Sequence, residues 1–472
     1  MQERSPQSRP GAPTLTERMA AAVAGCRFDA LPAEAVAKAK LCVLDYFSCA
    51  LVSHELPWSL QAIDVASDNS GRNGRADATV IGTAHRVAPH DAAFANAVLG
   101  HALVRDDMHV GSVSHLGVVV LPTLLALTED PRGADARGRD LLTAIVCGYE
   151  VGGRIGRSIL DVDVAKIFRP TGIAGPIAAA AAAARLLGLD AARTAAAIGL
   201  AANTVAGYNE WAATGGSEMF FHTGFAARNA LTAAQLAAAG AYVSPSAADG
   251  PAGLLSAFGK PTAPDVPEPF DGEPEILSVF FKPVPACNYA QSPAQAARRI
   301  AVHDRPTPGD IDRILVRVTR AAAAYPGCDA GGPFEHILQA KMSIQYNVAA
   351  ALVTGAFDEA GYRPAGQPEI CRLAAAATLV VDEALTEAYP RAQGAEVVVL
   401  MKDGTEHRCR VPDVAPASEA EVEQRFSAAA AERLGRDKAE RLYEFVMTLE
   451  SSVEATTLAR LTHCADLTPA TT

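Results

Sequence analysis

Three histidines and two aspartates lie close together in the segment from His101 to His115, which also contains Asp106, Asp107 and His109. An imidazole exchanges a proton near neutral pH, and an adjacent carboxylate orients it and raises its pKa. The segment begins with helical periodicity and then breaks at a glycine, which predicts a loop held by rigid elements. The pattern favours acid–base chemistry. A solvated loop with a helix cap is the alternative interpretation of this segment. The spacing of its His and Asp residues is not typical of metal ligands, and we expect no metal there.

A second reactive segment is Phe281–Gln291, where Pro283 and Pro285 stiffen the backbone around Lys282 and Cys287. Lys282 can pair with a carboxylate, and Cys287 can serve as a proton donor or lie buried as a small apolar side chain. Local sequence alone favours an ordinary loop at the entry to a domain.

Two further segments precede helices rich in small residues. Thr171 is predicted to cap the first helix, and Arg169 beside it would complete a bidentate carboxylate site at the electropositive helix end. Glu218–Arg228 opens the second helix and contains His222. A surface role for Arg169 and a structural role for His222 are the open alternatives.

The elements that must position these groups change character along the chain. The first half has apolar residues at three- and four-residue steps, which predicts helices. The clearest are Thr14–Ala24, Ala33–Val52, Ala92–Leu103, Leu121–Thr128 (helical from Pro122 onward), Leu141–Ile159 and the alanine-rich block 173–240. A proline-rich boundary follows at 261–274.

Beyond this boundary the pattern predicts a mixture of strands and helices. Strands are predicted at Ile311–Arg320, Thr378–Val381, Val397–Met401 and Thr405–Val411, the last two joined by an Asp-Gly turn, with helices at Ser292–His303 and Lys341–Thr354. We therefore expect a large all-helical domain at 1–274 and a smaller α+β lid domain at 275–412. Helices at 413–472, predicted over Glu419–Leu461, are expected to return to the helical domain.

Composition disfavours several classes of function. The 472 residues carry a net charge of −12 with no long basic run, which disfavours nucleic-acid binding. No apolar run reaches membrane-spanning length, and the polar first fifteen residues contain no secretory signal. Nine cysteines without a Cys-x-x-Cys pair predict free, mostly buried thiols in a reducing cytoplasm and no structural zinc.

These segments, in this order, resemble the MmgE/PrpD family, which includes 2-methylcitrate dehydratases, cis-aconitate decarboxylases and an iminodisuccinate epimerase. The likeness covers nearly the whole chain and rests on short motifs: Leu44-Asp45-Tyr46, Ala95-Asn96-Ala97, Asp106-Asp107 with His115, Gly148-Tyr149-Glu150, Arg169-Pro170-Thr171-Gly172, Lys282-Pro283 to Cys287, Ser343-Ile344-Gln345-Tyr346 and Lys402-Asp403-Gly404. The resemblance implies a mainly α fold with an α+β lid domain, an active site between the domains, and homodimers. It also implies proton transfer at a carbon next to a carboxylate, without a cofactor.

The resemblance also assigns roles to individual residues. It carries over His115, Lys282 and Tyr346 as catalytic positions, and it matches Tyr149 to the catalytic tyrosine of the epimerase branch. Either tyrosine is expected to act as the group that opposes His115.

The carboxylates of the substrate would be bound by Arg169, Lys282 and Arg228. Either Asp106 or Asp107 would orient His115. The remaining predicted substrate-binding residues are Thr171, His222, Cys287, Asn288 and Gln291.

Several positions depart from the family pattern. Val104 stands where the family carries Asp, Met108 where it carries Thr, Arg169 where it carries His, Met219 where it carries Lys, and Cys287 where it carries His. Exchanging His for Arg replaces a proton shuttle with a fixed cation. We therefore expect a pocket that does not repeat the dehydratase or decarboxylase mechanism unchanged.

The hypothesised reaction begins with proton transfer between His115 and a carbon next to a carboxylate. Loss of a β leaving group then gives elimination, whereas return of the proton from the other face gives epimerisation or double-bond migration. A lyase is favoured over an isomerase. A catalytically inactive homologue that only binds a small carboxylate is the third hypothesis.

Overall fold

The computed structural model describes residues 12–73, 77–260, 266–357 and 359–464. Most of the predicted polar tail and residues 261–265 of the predicted proline-rich boundary lie outside the described residues. Within them no helix is both long and apolar enough to cross a membrane.

The first half of the chain folds into helices, as its periodicity predicts. They are α1 (Leu15–Gly25), α2 (Ala33–Ala50), α3 (Pro57–Asn73), α4 (Pro89–His101), α5 (Gly117–Thr128), α6 (Gly138–Ile159), α7 (Val162–Ile167), α8 (Pro170–Leu186), α9 (Ala191–Ala202), α10 (Trp211–Thr214), α11 (Glu218–Ala238) and α12 (Leu254–Ala257). Two short antiparallel strand pairs join them, β1 (Ala78–Thr79) with β2 (Arg86–Val87), and β3 (Met108–His109) with β4 (Val279–Phe280).

Helix α8 is the central helix that orients the site, because it packs against α5, α6, α9 and α11. A side chain in place of Gly152 on α6 would approach the Ala178 Cβ to 2.6 Å, so small residues on both helices permit this close approach. The packing holds the first turn of α8, including Thr171, deep inside the protein, where that side chain is fully buried.

Helix α5 begins five residues earlier than predicted, at Gly117, and Pro122 lies inside it. The sequence analysis predicts helix from Pro122 onward, and proline is indeed common in a first helical turn. The helix extends further because Gly117 donates its backbone N–H to Asp107, and because Val118–Val120 are buried.

The second half forms an α+β unit around a four-stranded sheet in the order β6-β5-β7-β8. Its elements are α13 (Gln291–His303), β5 (Ile311–Val318), α14 (Arg320–Ala324), α15 (Ile337–Met342), α16 (Ile344–Thr354), α17 (Pro368–Ala375), β6 (Ala377–Val381), α18 (Glu383–Ala388), β7 (Ala395–Met401) and β8 (Glu406–Val411). Strand β5 runs parallel to β6 and antiparallel to β7, and β7 and β8 form the predicted hairpin, with Gly404 at a φ of +90° in its turn.

The predicted continuous helix Lys341–Thr354 is instead divided between α15 and α16. Ser343 takes an extended conformation between them, and its hydroxyl accepts a hydrogen bond from the Tyr346 backbone N–H at 2.9 Å. Serine favours such a cap over a helix interior because its side chain competes for backbone hydrogen bonds.

The chain ends in α19 (Glu419–Leu434), α20 (Arg436–Met447) and α21 (Thr457–Arg460). Helix α19 packs against α2, and α21 packs against α5, so this part of the chain contacts the N-terminal helices. The structure is thus mainly α with one α+β unit, as expected, while the domain limits at 274 and 412 stay predictions. All nine cysteines are free.

Candidate active site

The pairing of β3 with β4 brings the two reactive segments together. Met108 lies opposite Phe280, and His109 lies opposite Val279. Lys282 follows this pairing by two residues and interacts electrostatically with His115 and with the neighbouring groups of the histidine segment. Chemistry-bearing residues more than 160 positions apart in sequence therefore meet at one buried place.

Asp106 connects two histidines. Its carboxylate lies 2.9 Å from Nδ1 of His101 and 2.8 Å from Nδ1 of His115, and all three side chains are buried. Burial opposes ionisation of Asp106, but the two imidazoles outweigh it and hold the pKa of the carboxyl well below its usual value. Asp106 is therefore an anion that accepts a hydrogen bond from each ring.

The surroundings of His115 determine its tautomer. Its Nδ1 faces two acceptors, the Asp106 carboxylate and the Asp107 backbone carbonyl at 2.9 Å, so this nitrogen carries the proton. Burial lowers the pKa of His115 to about 3, although Asp106 favours the charged ring. The neutral ring consequently presents Nε2 as a proton acceptor, which is the form that a general base requires.

The backbone of His115 is also held in place. Its N–H donates to the Thr171 hydroxyl at 3.1 Å. Thr171 lies in the first turn of α8, where Arg169 is the N-cap residue, so its hydroxyl orients the histidine and does not cap the helix as predicted. This buried threonine contributes to positioning.

Arg169 is a buried cation, with 5% of its surface exposed. It donates to Nε2 of His101 at 3.0 Å and lies over the Trp211 ring at 5.4 Å. Among the described residues no carboxylate lies within ion-pair distance of this guanidinium, and its Nε–H is buried without a hydrogen-bond partner. A buried cation with an unused donor is suited to binding an anion.

A small cavity of about 20 Å³ adjoins His115 and Arg169. Six of its lining side chains are able to form hydrogen bonds: His115, Arg169, Cys287, Asn288, Tyr289 and Tyr325. Five others are apolar, Val104, Met108, Val113, Met219 and Met342, and the last is Trp211, whose indole N–H already donates to Asn209 at 3.1 Å.

Lys282 is fully buried, and its ammonium donates to the Ala286 carbonyl at 2.9 Å. Burial lowers its pKa to about 8, against the effect of the Asp106 carboxylate. The Gln291 amide donates to the carbonyls of Val284, Ala286 and Cys287 at 3.0–3.2 Å, so Gln291 shapes this loop and does not line the cavity.

Cys287 and Asn288 present their side chains to the cavity from the same loop. The Cys287 sulfur lies 3.6 Å from that of Cys328, and this contact lowers the pKa of the Cys287 thiol. Asn288 donates to Gln393 at 2.9 Å, while its amide oxygen is buried without a partner among the described residues.

Asp107 and Tyr149 form a pair beside the cavity. The Tyr149 hydroxyl donates to the Asp107 carboxylate, and both side chains are buried. Burial raises the pKa of Asp107 to about 6 and that of Tyr149 well above its usual value. Neither side chain lines the cavity. The carboxylate that contacts the His115 ring is that of Asp106, whereas Asp107 contacts the ring through its backbone carbonyl.

Two further predicted residues, Tyr346 and Arg228, do not line the cavity. Tyr346 is buried and donates to the Gly361 carbonyl at 2.6 Å, away from the cavity. Arg228 is half-exposed and lies 3.6 Å from Asp91 on the outer face of α11. His222 takes an intermediate position, because its ring packs beside Gly207 and interacts electrostatically with Arg169, and burial lowers its pKa to about 4.

Sequence reasoning missed Trp211 and Tyr325, and it placed His101 in the reactive segment without giving it a role. Only the five-residue spacing between His101 and Asp106 carried a usable signal, since His101 ends α4 and Asp106 lies in the loop that follows. The tryptophan and the tyrosine come from segments with no reactive pattern, and tertiary contacts alone place them beside Arg169.

The expectation of no metal stays a prediction, because His101, Asp106 and His115 offer ligand atoms within 4.8 Å of one another. The surrounding charges favour an anion over a metal ion. Arg169 donates a hydrogen bond to Nε2 of His101, and the buried ammonium of Lys282 interacts electrostatically with His115. A metal cation would therefore be repelled by two positive charges.

Models of one protein family match most of the chain. The profile of the MmgE/PrpD N-terminal domain matches residues 17–266, and that of the MmgE/PrpD C-terminal domain matches residues 284–451. Human cis-aconitate decarboxylase is 28% identical over 470 residues, which cover 95% of this chain and 94% of the human protein.

Fungal relatives match a shorter part. A cis-aconitate decarboxylase-like protein of Aspergillus oryzae is 34% identical over 212 residues, or 44% of this chain and 43% of that protein. The cis-aconitate decarboxylase of Aspergillus terreus is 31% identical over 215 residues, or 45% and 43%. The matched region thus spans less than half the length of these fungal relatives.

Proposed function

Because this chain belongs to the MmgE/PrpD family, we propose that it is a cofactor-independent enzyme that transfers a proton at a carbon next to the carboxylate of a small carboxylic acid. The net reaction proposed is that of a lyase. The names of the relatives, cis-aconitate decarboxylases, support a lyase over an isomerase.

One observation carries the proposal: a neutral His115, oriented by Asp106, lines the same small cavity as the buried guanidinium of Arg169. Arg169 would hold the substrate carboxylate, and Nε2 of His115 would take the proton from the adjacent carbon. Removal of that proton places negative charge on the carboxylate oxygens, which a fixed cation stabilises more strongly in the transition state than in the ground state.

Tyr325 is the proposed proton donor, in place of the sequence-predicted Tyr149 and Tyr346. Its hydroxyl oxygen accepts from Asn209 at 3.3 Å and interacts with the Arg169 guanidinium, so the phenolic proton is directed to another partner. Burial raises its pKa to about 12, which keeps the phenol protonated. In an elimination the C–H electrons form the double bond, and the leaving group departs with its electron pair and the Tyr325 proton.

The alternative is an epimerase or isomerase, and the presence of two proton-transfer groups in one cavity favours it over simple binding. His115 and Tyr325 both line the cavity, so a proton removed by one could be replaced by the other on a different face. A catalytically inactive carboxylate-binding homologue is the third candidate. Such a homologue would use the guanidinium of Arg169 to bind the carboxylate and would leave His115 without a role in proton transfer.

Solvent exchange distinguishes the three candidates. The protein is incubated in D2O with a panel of mono-, di- and tricarboxylates, and proton NMR follows loss of the signal next to the carboxylate. Exchange with a new unsaturated or decarboxylated product supports the lyase. Exchange with loss of stereochemistry and no such product identifies an isomerase. An acid that binds without exchange or turnover identifies the inactive homologue.

A further inference from the structure

Cys287 and Cys328 form a buried pair of thiols at the edge of the cavity. Their sulfurs lie 3.6 Å apart, although 41 positions separate the two residues in sequence. A disulfide bond needs about 2.05 Å between its sulfurs, so a movement of roughly 1.5 Å would join them. The side chain of Cys328 is fully buried, and Cys287 is 6% exposed. The fold therefore holds two thiols in contact, in an arrangement that a small movement converts into a covalent link.

Both cysteines are anchored to the same part of the backbone, where α15 ends and α16 begins. The Cys287 N–H donates to the Lys341 carbonyl at 2.9 Å, and the Cys328 carbonyl accepts from the Ile344 N–H at 2.9 Å. Two hydrogen bonds to neighbouring turns of chain keep the separation of the two thiols fixed. Their contact is thus a property of the backbone arrangement and not of side-chain rotation alone.

The two thiols differ in their electrostatic surroundings. The contact with Cys328 lowers the pKa of Cys287 against the effect of burial. The Tyr289 backbone N–H and the cations Lys282 and Arg169 lower this pKa further. Burial and the contact with Cys287 raise the pKa of Cys328 well above its usual value. Because the thiolate is the nucleophilic form, Cys287 is the sulfur that reacts first with an oxidant.

Access to the pair is also one-sided. Cys287 lines the cavity beside His115 and Arg169, whereas Cys328 does not. The cavity of about 20 Å³ is large enough for one molecule of about the size of water, which needs roughly 10–15 Å³. Hydrogen peroxide is little larger than water, so the cavity suits a small oxidant that meets Cys287 before Cys328.

We propose that Cys287 and Cys328 form a reversible disulfide, a modification site in the wall of the candidate active site. The Cys287 sulfur attacks hydrogen peroxide, an S–O bond forms as the O–O bond breaks, and the departing hydroxide takes up the thiol proton as water. The Cys328 sulfur then attacks the sulfenic sulfur of Cys287. The S–S bond forms, the S–O bond breaks, and the second oxygen leaves as water with the Cys328 proton. A dithiol reductant restores both thiols by exchange.

Peptide mapping of the full chain tests this site. The reduced protein is treated with a small molar excess of hydrogen peroxide, then denatured, alkylated and digested for mass spectrometry. We expect a peptide pair joined through Cys287 and Cys328, loss of two of the nine free thiols, and recovery of both after dithiothreitol. Retention of all nine thiols, or a stable oxygen adduct on Cys287 with Cys328 still reduced, would overturn the disulfide.

Single variants separate the roles of the two sulfurs. Cys328→Ala is expected to leave Cys287 as a sulfenic acid that dimedone traps, because no second sulfur displaces its oxygen. Cys287→Ala is expected to lower the rate of peroxide-dependent thiol loss at least about ten-fold, because the reactive thiolate is missing. Oxidation of Cys328 at the wild-type rate in Cys287→Ala would contradict this order of reaction. Thermal melts report whether each variant is folded.

The thiols of Cys26 and Cys147 provide the matched control. Their side chains are hydrogen-bonded to each other, but neither residue lines the cavity. Cys147→Ala is therefore expected to leave the link between Cys287 and Cys328 unchanged in rate and amount. A link between Cys26 and Cys147 as the main product in the unmodified sequence, with Cys287 still reduced, would assign the reactivity to that pair and overturn the proposed site.

Discussion

Arg169 donates a hydrogen bond to Nε2 of His101 across 3.0 Å. A guanidinium can only donate, so this nitrogen accepts, and the proton of the neutral ring lies on Nδ1, which donates to Asp106. Asp106 in turn accepts from His115. One buried chain of hydrogen bonds thus connects the proposed carboxylate-binding group to the proposed base, with every tautomer determined by its neighbours.

Replacing the proposed base tests the centre of this network. His115→Ala is expected to lower kcat by at least about 100-fold, since a positioned base contributes roughly 10²–10⁴-fold. Binding of a carboxylate ligand should be nearly unchanged because Arg169 remains. Steady-state kinetics and calorimetry measure the two effects, and full activity in a folded variant would contradict the assignment.

Asp106→Asn is expected to reduce kcat by about 100-fold. The amide can donate to an imidazole nitrogen, which would stabilise the tautomer whose Nε2 carries the proton and cannot act as a base. Asp107→Asn is the matched control, because the Asp107 side chain contacts Tyr149 and Gly117 and not the His115 ring. An equal loss in the two variants would count against orientation by Asp106.

Arg169→Gln is expected to raise KM by at least about 30-fold, which corresponds to ~2 kcal/mol lost when a buried charge partner is removed. Arg169→Lys keeps the charge but loses the planar fork and the contact with Trp211, so a smaller increase is expected. An unchanged KM in both variants would show that the substrate carboxylate binds elsewhere.

The pH dependence of kcat/KM should report Lys282. Its ammonium form prevails below its pKa of about 8 and is lost above it, so kcat/KM is expected to fall as the pH rises through 8. Lys282→Met should lower kcat/KM and remove this alkaline decline.

Cys287→Ala serves as the control for the same pH profile, because the Cys287 thiol also has a shifted pKa and lines the cavity. The decline should persist in this variant. Loss of the decline in Cys287→Ala, with retention in Lys282→Met, would assign it to the thiol.

Tyr325→Phe is expected to reduce kcat by about 100-fold, since it removes the proposed proton donor but keeps the ring. Tyr149→Phe should have a smaller effect on kcat, because Tyr149 lies outside the cavity. Rapid-quench kinetics resolve the chemical step. A larger effect from Tyr149 than from Tyr325 would restore the sequence-based assignment.

Much of the fold could be predicted because it rests on local patterns. The three- and four-residue spacing of apolar residues in Ala33–Val52 indicates α2, and the Asp403-Gly404 turn indicates the β7–β8 hairpin. The prediction failed at Pro122 and Ser343, where the outcome depends on a contact with Asp107 or on a competing cap.

The sequence by itself determined the mainly helical fold with one α+β unit, the reactive segment from His101 to His115, and the family. These depend on periodicity and on motifs within short stretches of chain. Tertiary structure alone decided that Asp106 orients His115, that Tyr325 enters the cavity, and that Tyr346 and Arg228 stay outside it. The physical reason is that burial and hydrogen-bond partners are properties of the packed molecule, and they set each group's protonation state and access to a ligand.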